Sequence, residues 1–171
     1  GIVKNALKLS VLLFQRPGEI RSMRWSEINW EKSRWERKSF RQKARRDHIT
    51  PLSAQVLAVL KEMQSFTGEG EFVFPNIRNW TKPMSDNSVR VALRAMGFGK
   101  EAITPHGFRA MARTILEEEL GYSDKLVELQ IAHKVYNPMG RAYDRTAFLP
   151  ERSAMMQRWA DYLDQLAGDE K

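Results

Sequence analysis

"QRPGEIRSMRW", residues 15–25, follows an apolar run from Val11 to Phe14 and interrupts it with a Pro-Gly pair. Proline disrupts a helix interior but is tolerated in a first turn. The pattern therefore predicts one helix over residues 2–14 and a short second one from Pro17 to Met23. The break places Arg16 and Glu19 three residues apart at the start of the second helix, with Arg21 and Arg24 close behind. A chain that leaves an apolar segment sharply and presents an arginine and a glutamate there marks a candidate site.

On the N-terminal side, Val3, Ala6, Leu7, Val11 and Phe14 form one apolar stripe. On the C-terminal side the pattern changes. Trp25, Ile28, Trp30, Trp35 and Phe40 are separated by polar residues, which predicts strands near 24–30, 34–40 and 46–50 in a small antiparallel sheet. "QKARRD" is then the tip of its second hairpin. A helix is expected from Ser53 with Val56, Leu57, Leu60 and Met63 inside, followed by "FVFP" as a short buried strand and "NIRNWTKPMS" as a loop. Another helix runs from Ser85 or Asp86 to about Met96. "TPHGFRAMARTILEEEL" reads as a strong helix capped by Thr104, with Pro105 at its first position and Phe108, Met111, Ala112 and Ile115 inside. Gly121 ends it, a helix spans about 123–133, and a final one from Pro150 to Leu166 carries Met155, Met156, Trp159, Tyr162, Leu163 and Leu166. The fold class is α+β, mostly helical, with a small three-stranded antiparallel sheet.

Bulk properties limit the function classes. The chain has 171 residues and no cysteine, enough for one domain and without thiolate metal sites or disulfides. No apolar stretch approaches the ~20 residues of a membrane span, and no signal peptide is apparent. A cytoplasmic protein with no membrane partner is expected. The segment Lys32–His48 holds eight Lys or Arg against two acids, so +6 of the net charge of +7 sits there. A basic cluster of this density suits a phosphate backbone, because binding nucleic acid releases counterions.

Three further places carry candidate chemistry. His106 and Arg109 in "HGFR" lie one turn apart near a helix start, where anions are already favoured. His133 follows an apolar helix face in "IAHK", and Tyr143 lies in the polar stretch "GRAYDRT". The order Arg-x-x-Glu, a hairpin lysine, His-x-x-Arg, a second histidine and then a tyrosine resembles the catalytic domain of tyrosine recombinases, the phage-type integrases, most of all those of prophages and genomic islands. The stretches that carry the resemblance are "RPGEIRSMRWSEIN", "QKARRDHITPLS", "TPHGFRAMARTIL" and "LQIAHK".

The resemblance implies a set of roles. Arg16 and Arg109 are the catalytic arginines, Glu19 supports the site's geometry, Lys43 is the hairpin lysine, His106 and His133 are the two histidines, and Tyr143 is the nucleophile. Tyr136 follows His133 too closely for the family's spacing. Arg41, Arg45, Arg46, His48 and Lys134 are candidate DNA contacts. The chemistry agrees with these roles. Planar, always-charged guanidinium groups can clamp a scissile phosphate bidentately. A phenol with a pKa of ~10 needs help to lose its proton, and the arginines with His106 can supply it. Lys43 can protonate the departing 5′ oxygen. The 3′-phosphotyrosyl bond keeps the energy of the broken phosphodiester, so neither ATP, another cofactor nor a metal is required.

The expected protein is thus a site-specific recombinase that integrates or excises a prophage or genomic island at a double-stranded DNA attachment site. By resemblance the 171 residues are a single catalytic domain, the C-terminal part of a longer integrase that acts as a homotetramer on DNA, while the isolated domain is a monomer. Residues 149–171 form an amphipathic helix that either folds back on its own core or docks on a neighbour. The rival readings are a type IB topoisomerase-like relaxing enzyme, a non-catalytic DNA-binding remnant of an integrase, and a metal site built from His48, His106 and His133.

Overall fold

The structure, a computed structural model, describes residues 1–38, 47–132 and 148–168. In chain order its elements are α1 (Ile2–Leu13), α2 (Pro17–Arg21), a 3₁₀ turn (Trp25–Glu27), β1 (Ile28–Asn29), β2 (Arg34–Arg37), β3 (His48–Pro51), α3 (Ala54–Thr67), β4 (Pro75–Asn76), β5 (Asn79–Pro83), α4 (Ser88–Ala95), α5 (Gly107–Thr114), a π-helical turn (Ile115–Glu119), α6 (Asp124–Gln130) and α7 (Leu149–Gly168). They fall into two compact units, Gly1–Glu27 with Gln55–Ala112, and Ile28–Ala54 with Arg113–Lys171. Among the described residues no helix is long and apolar enough to cross a membrane.

In the first unit, α1 buries Asn5, Ala6, Leu9, Ser10 and Leu13. This stripe is rotated from the expected one, and Val3, Leu7 and Val11 are only half-buried. Each of the two inward polar side chains donates a hydrogen bond. Asn5 Nδ2 donates to Glu62 Oε1 at 2.9 Å, and Ser10 Oγ donates to the Ala6 carbonyl at 2.8 Å, which offsets part of the cost of burying them, while Asn5 Oδ1 is buried without a partner among the described residues. On α3, Val59 is buried and Leu57 half-buried, beside the expected Val56, Leu60 and Met63.

The loop expected at "NIRNWTKPMS" contains a strand. β4 and β5 form an antiparallel hairpin. Two Asx turns shape it: Asn76 Oδ1 accepts the Arg78 N–H at 2.9 Å, and Asn79 Oδ1 accepts the Thr81 N–H at 3.0 Å. Asparagine offers the backbone such local partners readily. Phe72, in the expected buried strand, makes only an isolated bridge to Arg24. The helix expected from Ser85 or Asp86 begins at Ser88 and ends before Gly97, whose φ of 91° a residue with Cβ adopts at a cost.

In the second unit, the sheet order is β1-β2-β3, antiparallel throughout. β1 is shorter than the strand expected over 24–30, and Trp25 sits in the 3₁₀ turn instead of a strand. The expected turn at "EKS" is present: Asn29 Oδ1 accepts the Lys32 N–H at 3.0 Å, and Ser33 takes a φ of 49°. β2 turns Trp35 and Arg37 inward. The helix that α5 begins changes to π geometry at Ile115, with Leu116 fully buried. Gly121, with φ 74°, ends that segment as expected.

The final helix packs on its own chain. Arg152, Met155, Met156, Trp159 and Ala160 are buried, and the Ala54 N–H donates to Gln157 Oε1 at 2.9 Å. Tyr162 Oη donates to Glu119 Oε2 at 2.6 Å. The expected stripe stops there, since Leu166 is exposed.

Candidate active site

The Arg16–Glu19 pair is built by the break between α1 and α2. Phe14 ends α1 in the left-handed region, φ 40°, and its N–H still donates to the Ser10 carbonyl at 3.1 Å. Arg16 is extended, Pro17 opens α2, and Glu19 is the third helical residue. Glu19 holds Arg16 at both ends. Glu19 Oε2 accepts the Arg16 backbone N–H at 3.2 Å, and Glu19 Oε1 lies 3.5 Å from Arg16 Nη1. The carboxylate is more enclosed than the guanidinium, with side-chain exposures of 14% and 39%. This is the reciprocal half of a capping box used to aim an arginine.

Arg109 comes to the same turn from the other end of the unit. Thr104 Oγ1 accepts the Gly107 N–H at 3.0 Å, the expected cap at the start of α5. The helix itself begins two residues after Pro105, with His106 exposed in the turn before it. The Arg109 N–H donates to the His106 carbonyl at 3.2 Å, and Arg109 Nη1 donates to the Phe14 carbonyl at 3.2 Å. Phe14 stands at the C-terminal end of α1, where the helix dipole favours a cation.

The other arginines of the opening stretch are structural. Arg21 Nη1 donates to the Met84 carbonyl at 2.9 Å. Arg24 forms an ion pair with Glu71 and lies 5.2 Å from the centre of the Phe72 ring. One arginine that the sequence motifs do not single out matters more. Arg94, in the last turn of α4, donates to the Ile103 carbonyl from both Nη1 and Nη2 at 3.2 Å. It braces the loop that delivers Thr104 and His106, and its position one residue before the end of α4 is the available signal.

In the second unit, His48 is 7% exposed and its Nε2 lies 3.1 Å from the Gln130 carbonyl. The buried ring thus donates to the main-chain oxygen of the last residue of α6. Arg41, Lys43, Arg45, Arg46, His133, Lys134, Tyr136 and Tyr143 lie outside the described residues. Among the described residues no group of three or more His, Cys, Asp or Glu side chains could hold a metal ion. His48 and His106, two members of the rival metal set, differ in setting, one enclosed and one exposed.

A helical protein with this sheet and this arginine turn is matched by known proteins. The Phage integrase family model matches residues 3–148, and the chain belongs to that family. It is 42% identical over 177 residues to the integrase of Enterobacteria phage P4, covering 95% of this chain and 40% of that protein. It is 39% identical over 151 residues to the prophage integrase IntA of Escherichia coli K12, covering 88% and 36%. The chain therefore spans less than half the length of these curated relatives. Its fold resembles an integrase from mycobacterium phage Brujita, with a TM-score of 0.68 at 15% identity over 92% of this chain and 51% of that one. It also resembles a lambda integrase solved as a dimer bound to a COC′ core site, with a TM-score of 0.58 at 22% identity over 84% and 54% of the two chains.

Proposed function

We propose that this chain is the catalytic domain of a tyrosine-type site-specific recombinase, which cuts and rejoins DNA strands through a 3′-phosphotyrosyl intermediate. The observation that carries this reading is the bond from Arg109 Nη1 to the Phe14 carbonyl, which brings a second guanidinium to the turn that Glu19 organises around Arg16.

Two fixed guanidinium groups suit a phosphate whose non-bridging oxygens gain charge as phosphorus becomes five-coordinate. Donors aimed at such charge contribute about 3–4 kcal/mol each in other enzymes. Tyr143 Oη attacks phosphorus and forms the phosphotyrosyl ester while the bond to the 5′ oxygen breaks. The phenolic proton passes to His106 or solvent, and Lys43 gives its proton to the departing 5′ oxygen. Attack by a free 5′ hydroxyl reverses both transfers and rejoins the strand. His133 adds a second hydrogen bond to the phosphate. The basic residues Arg41, Arg45, Arg46 and Lys134 meet the backbone of a double-stranded attachment site, with the protein as a homotetramer on DNA in the bacterial cytoplasm. Relatives named as phage and prophage integrases support integration or excision of such an element as the task.

The test is covalent trapping. Nicked duplexes tiled across the DNA flanking the gene are incubated with the protein, and an SDS-resistant protein–DNA adduct is sought. An adduct that disappears in Tyr143→Phe and persists in Tyr136→Phe is the expected result. Binding of the duplexes by the full-length protein without any adduct would leave a DNA-binding remnant in place of an enzyme.

A further inference from the structure

Arg152 is a buried cation that the mechanism above does not use. It is 1% exposed, on the inner stripe of α7 one turn before Met155 and Met156. Burial, and after it the like charges of Arg37 and Arg34, push its guanidinium down to about 10, so it is charged at neutral pH. A buried guanidinium is costly unless its donors are satisfied, and a methionine at this place would pack with its neighbours more cheaply. The reason for an arginine lies in what it joins.

Arg152 Nε donates to Gln130 Oε1 at 3.0 Å, and Arg152 Nη2 donates to the Ile49 carbonyl. Gln130, fully buried at the end of α6, also accepts from His48 through its main-chain oxygen at 3.1 Å. The two bonds to β3 fall on neighbouring residues, the His48 ring and the Ile49 carbonyl, and among the described residues β3 is the edge strand of its sheet, whose outer carbonyls need partners. One buried cluster therefore ties β3, the end of α6 and the start of α7.

These three ends are the roots of the two segments that hold the remaining chemistry. Arg37 and His48 are register partners at the end of the β2–β3 ladder that leads to Lys43. Residues 133–147, with His133 and Tyr143, start just after Gln130 and end just before α7. Ala132 and Phe148, on either side of that stretch, both adopt left-handed backbone, φ 62° and 56°. Such conformations in residues with Cβ persist only where the surroundings over-determine them. The Arg152 main-chain N–H donates to the Phe148 carbonyl at 2.8 Å, and the Ala132 N–H donates to the Leu129 carbonyl at 3.2 Å, so Arg152 is one helical turn from one of these corners and Gln130 is two residues from the other.

We propose that Arg152 is a positioning residue for strand cleavage, which through Gln130 and the edge of β3 holds the roots of the Lys43 hairpin and of the Tyr143 segment in one fixed register. This rests on the recombinase reading. Displacing a reacting group by about 1 Å from a distance can cost ~10²-fold in rate, so the readout is the rate of adduct formation at saturating protein, measured beside duplex affinity.

Arg152→Met and Gln130→Met are compared with the wild type in the full-length protein on the trapping duplexes. Gln130→Met keeps the main-chain oxygen for His48, and it decides the matter if Arg152→Met does not fold. The expected result is duplex affinity within about threefold of wild type and adduct formation at least about tenfold slower in each, with the double variant no slower than Arg152→Met alone. Arg152→Lys, which can reach one acceptor but not two, is expected to fall between. Folded variants that form adduct within about twofold of the wild-type rate would overturn the proposal, as would a loss matching the fall in folded fraction. A wild type that yields no adduct overturns the recombinase reading and this proposal with it, which separates the two failures.

Discussion

Arg109 Nη1 donates to the Phe14 carbonyl at 3.2 Å across 95 residues of sequence. That oxygen belongs to the residue that ends α1 in left-handed backbone, two positions before Arg16. A helix C-terminus carries a partial negative charge, so the same turn that releases Arg16 from the apolar helix also anchors the second arginine. The Pro-Gly break in the opening stretch thereby serves both.

Arg109→Lys tests the need for a planar fork. An ammonium keeps the charge but gives up bidentate contact, and the Phe14 anchor is lost with it. Single-turnover adduct formation is expected to fall about 10²–10³-fold, the scale seen when one preorganised donor is removed elsewhere. Duplex affinity, set mainly by phosphate contacts distributed over the surface, should change by a few-fold at most. Equal losses in rate and affinity would contradict this.

Glu19→Ala separates stability from aim. The carboxylate accepts the Arg16 N–H and faces its guanidinium, and a lost N-terminal cap costs about 1 kcal/mol. The ion pair itself adds less, because Arg16 is more than a third exposed and its charge is screened. Urea unfolding should therefore shift modestly, while adduct formation drops about tenfold through loss of Arg16 orientation. Glu19→Gln, which can still accept from the main chain, should recover most of the stability and little of the rate.

The helices and the sheet are legible in the sequence because periodicity and caps are local. Thr104 caps α5, the "EKS" turn closes on Asn29, and Pro17 opens α2, each signalled by neighbours in sequence. Arg16, Glu19, His106 and Arg109 are legible only as an ordered set, since none is distinctive alone. What escapes is non-local. Nothing near Asn5 announces that Glu62 will accept from its amide, so the periodicity of α1 points to a stripe rotated from the true one. The β4–β5 hairpin looks like a loop because its second strand is polar and exposed, without the alternation that marks a half-buried strand. His48 sits among basic neighbours in sequence, whereas the Gln130 carbonyl 82 residues away decides its setting. Arg152 does carry a signal, an arginine in register with Met155, Met156 and Trp159.

Glu62 gives a pH signature. The hydrogen bond from Asn5 holds its carboxyl below the ordinary value of 4.5 against the opposing effect of desolvation, with help from the charges of Lys8, the N-terminal amine and Lys4. A carboxylate with a depressed native pKa stabilises the fold fully above its unfolded value and loses that contribution as pH falls through the native one. Melting temperatures of wild type and Glu62→Gln should therefore differ by a constant, small amount at neutral pH, with the wild type higher. The gap should close as pH drops below about 4.5. A gap that widens in acid would rule out this linkage.

Trp159 decides how α7 is held. Its ring is fully buried and stacks on Tyr162 with centroids 6.1 Å apart and planes at 22°, whereas Leu166 one or two turns on is exposed. Truncating a buried tryptophan to alanine removes its transfer energy and leaves a cavity, together costing about 3–5 kcal/mol. Trp159→Ala should therefore lower the urea midpoint sharply, a large share of the ~5–15 kcal/mol that holds a typical domain together. Leu166→Ala should leave it within about 0.5 kcal/mol, as substitutions on an open surface do. If α7 instead reached its stability by docking on another copy, both variants would unfold with midpoints that rise with protein concentration, because association shifts apparent stability by mass action. Midpoints independent of concentration, with Trp159→Ala alone destabilised, are the outcome expected for a helix whose buried half packs on its own chain.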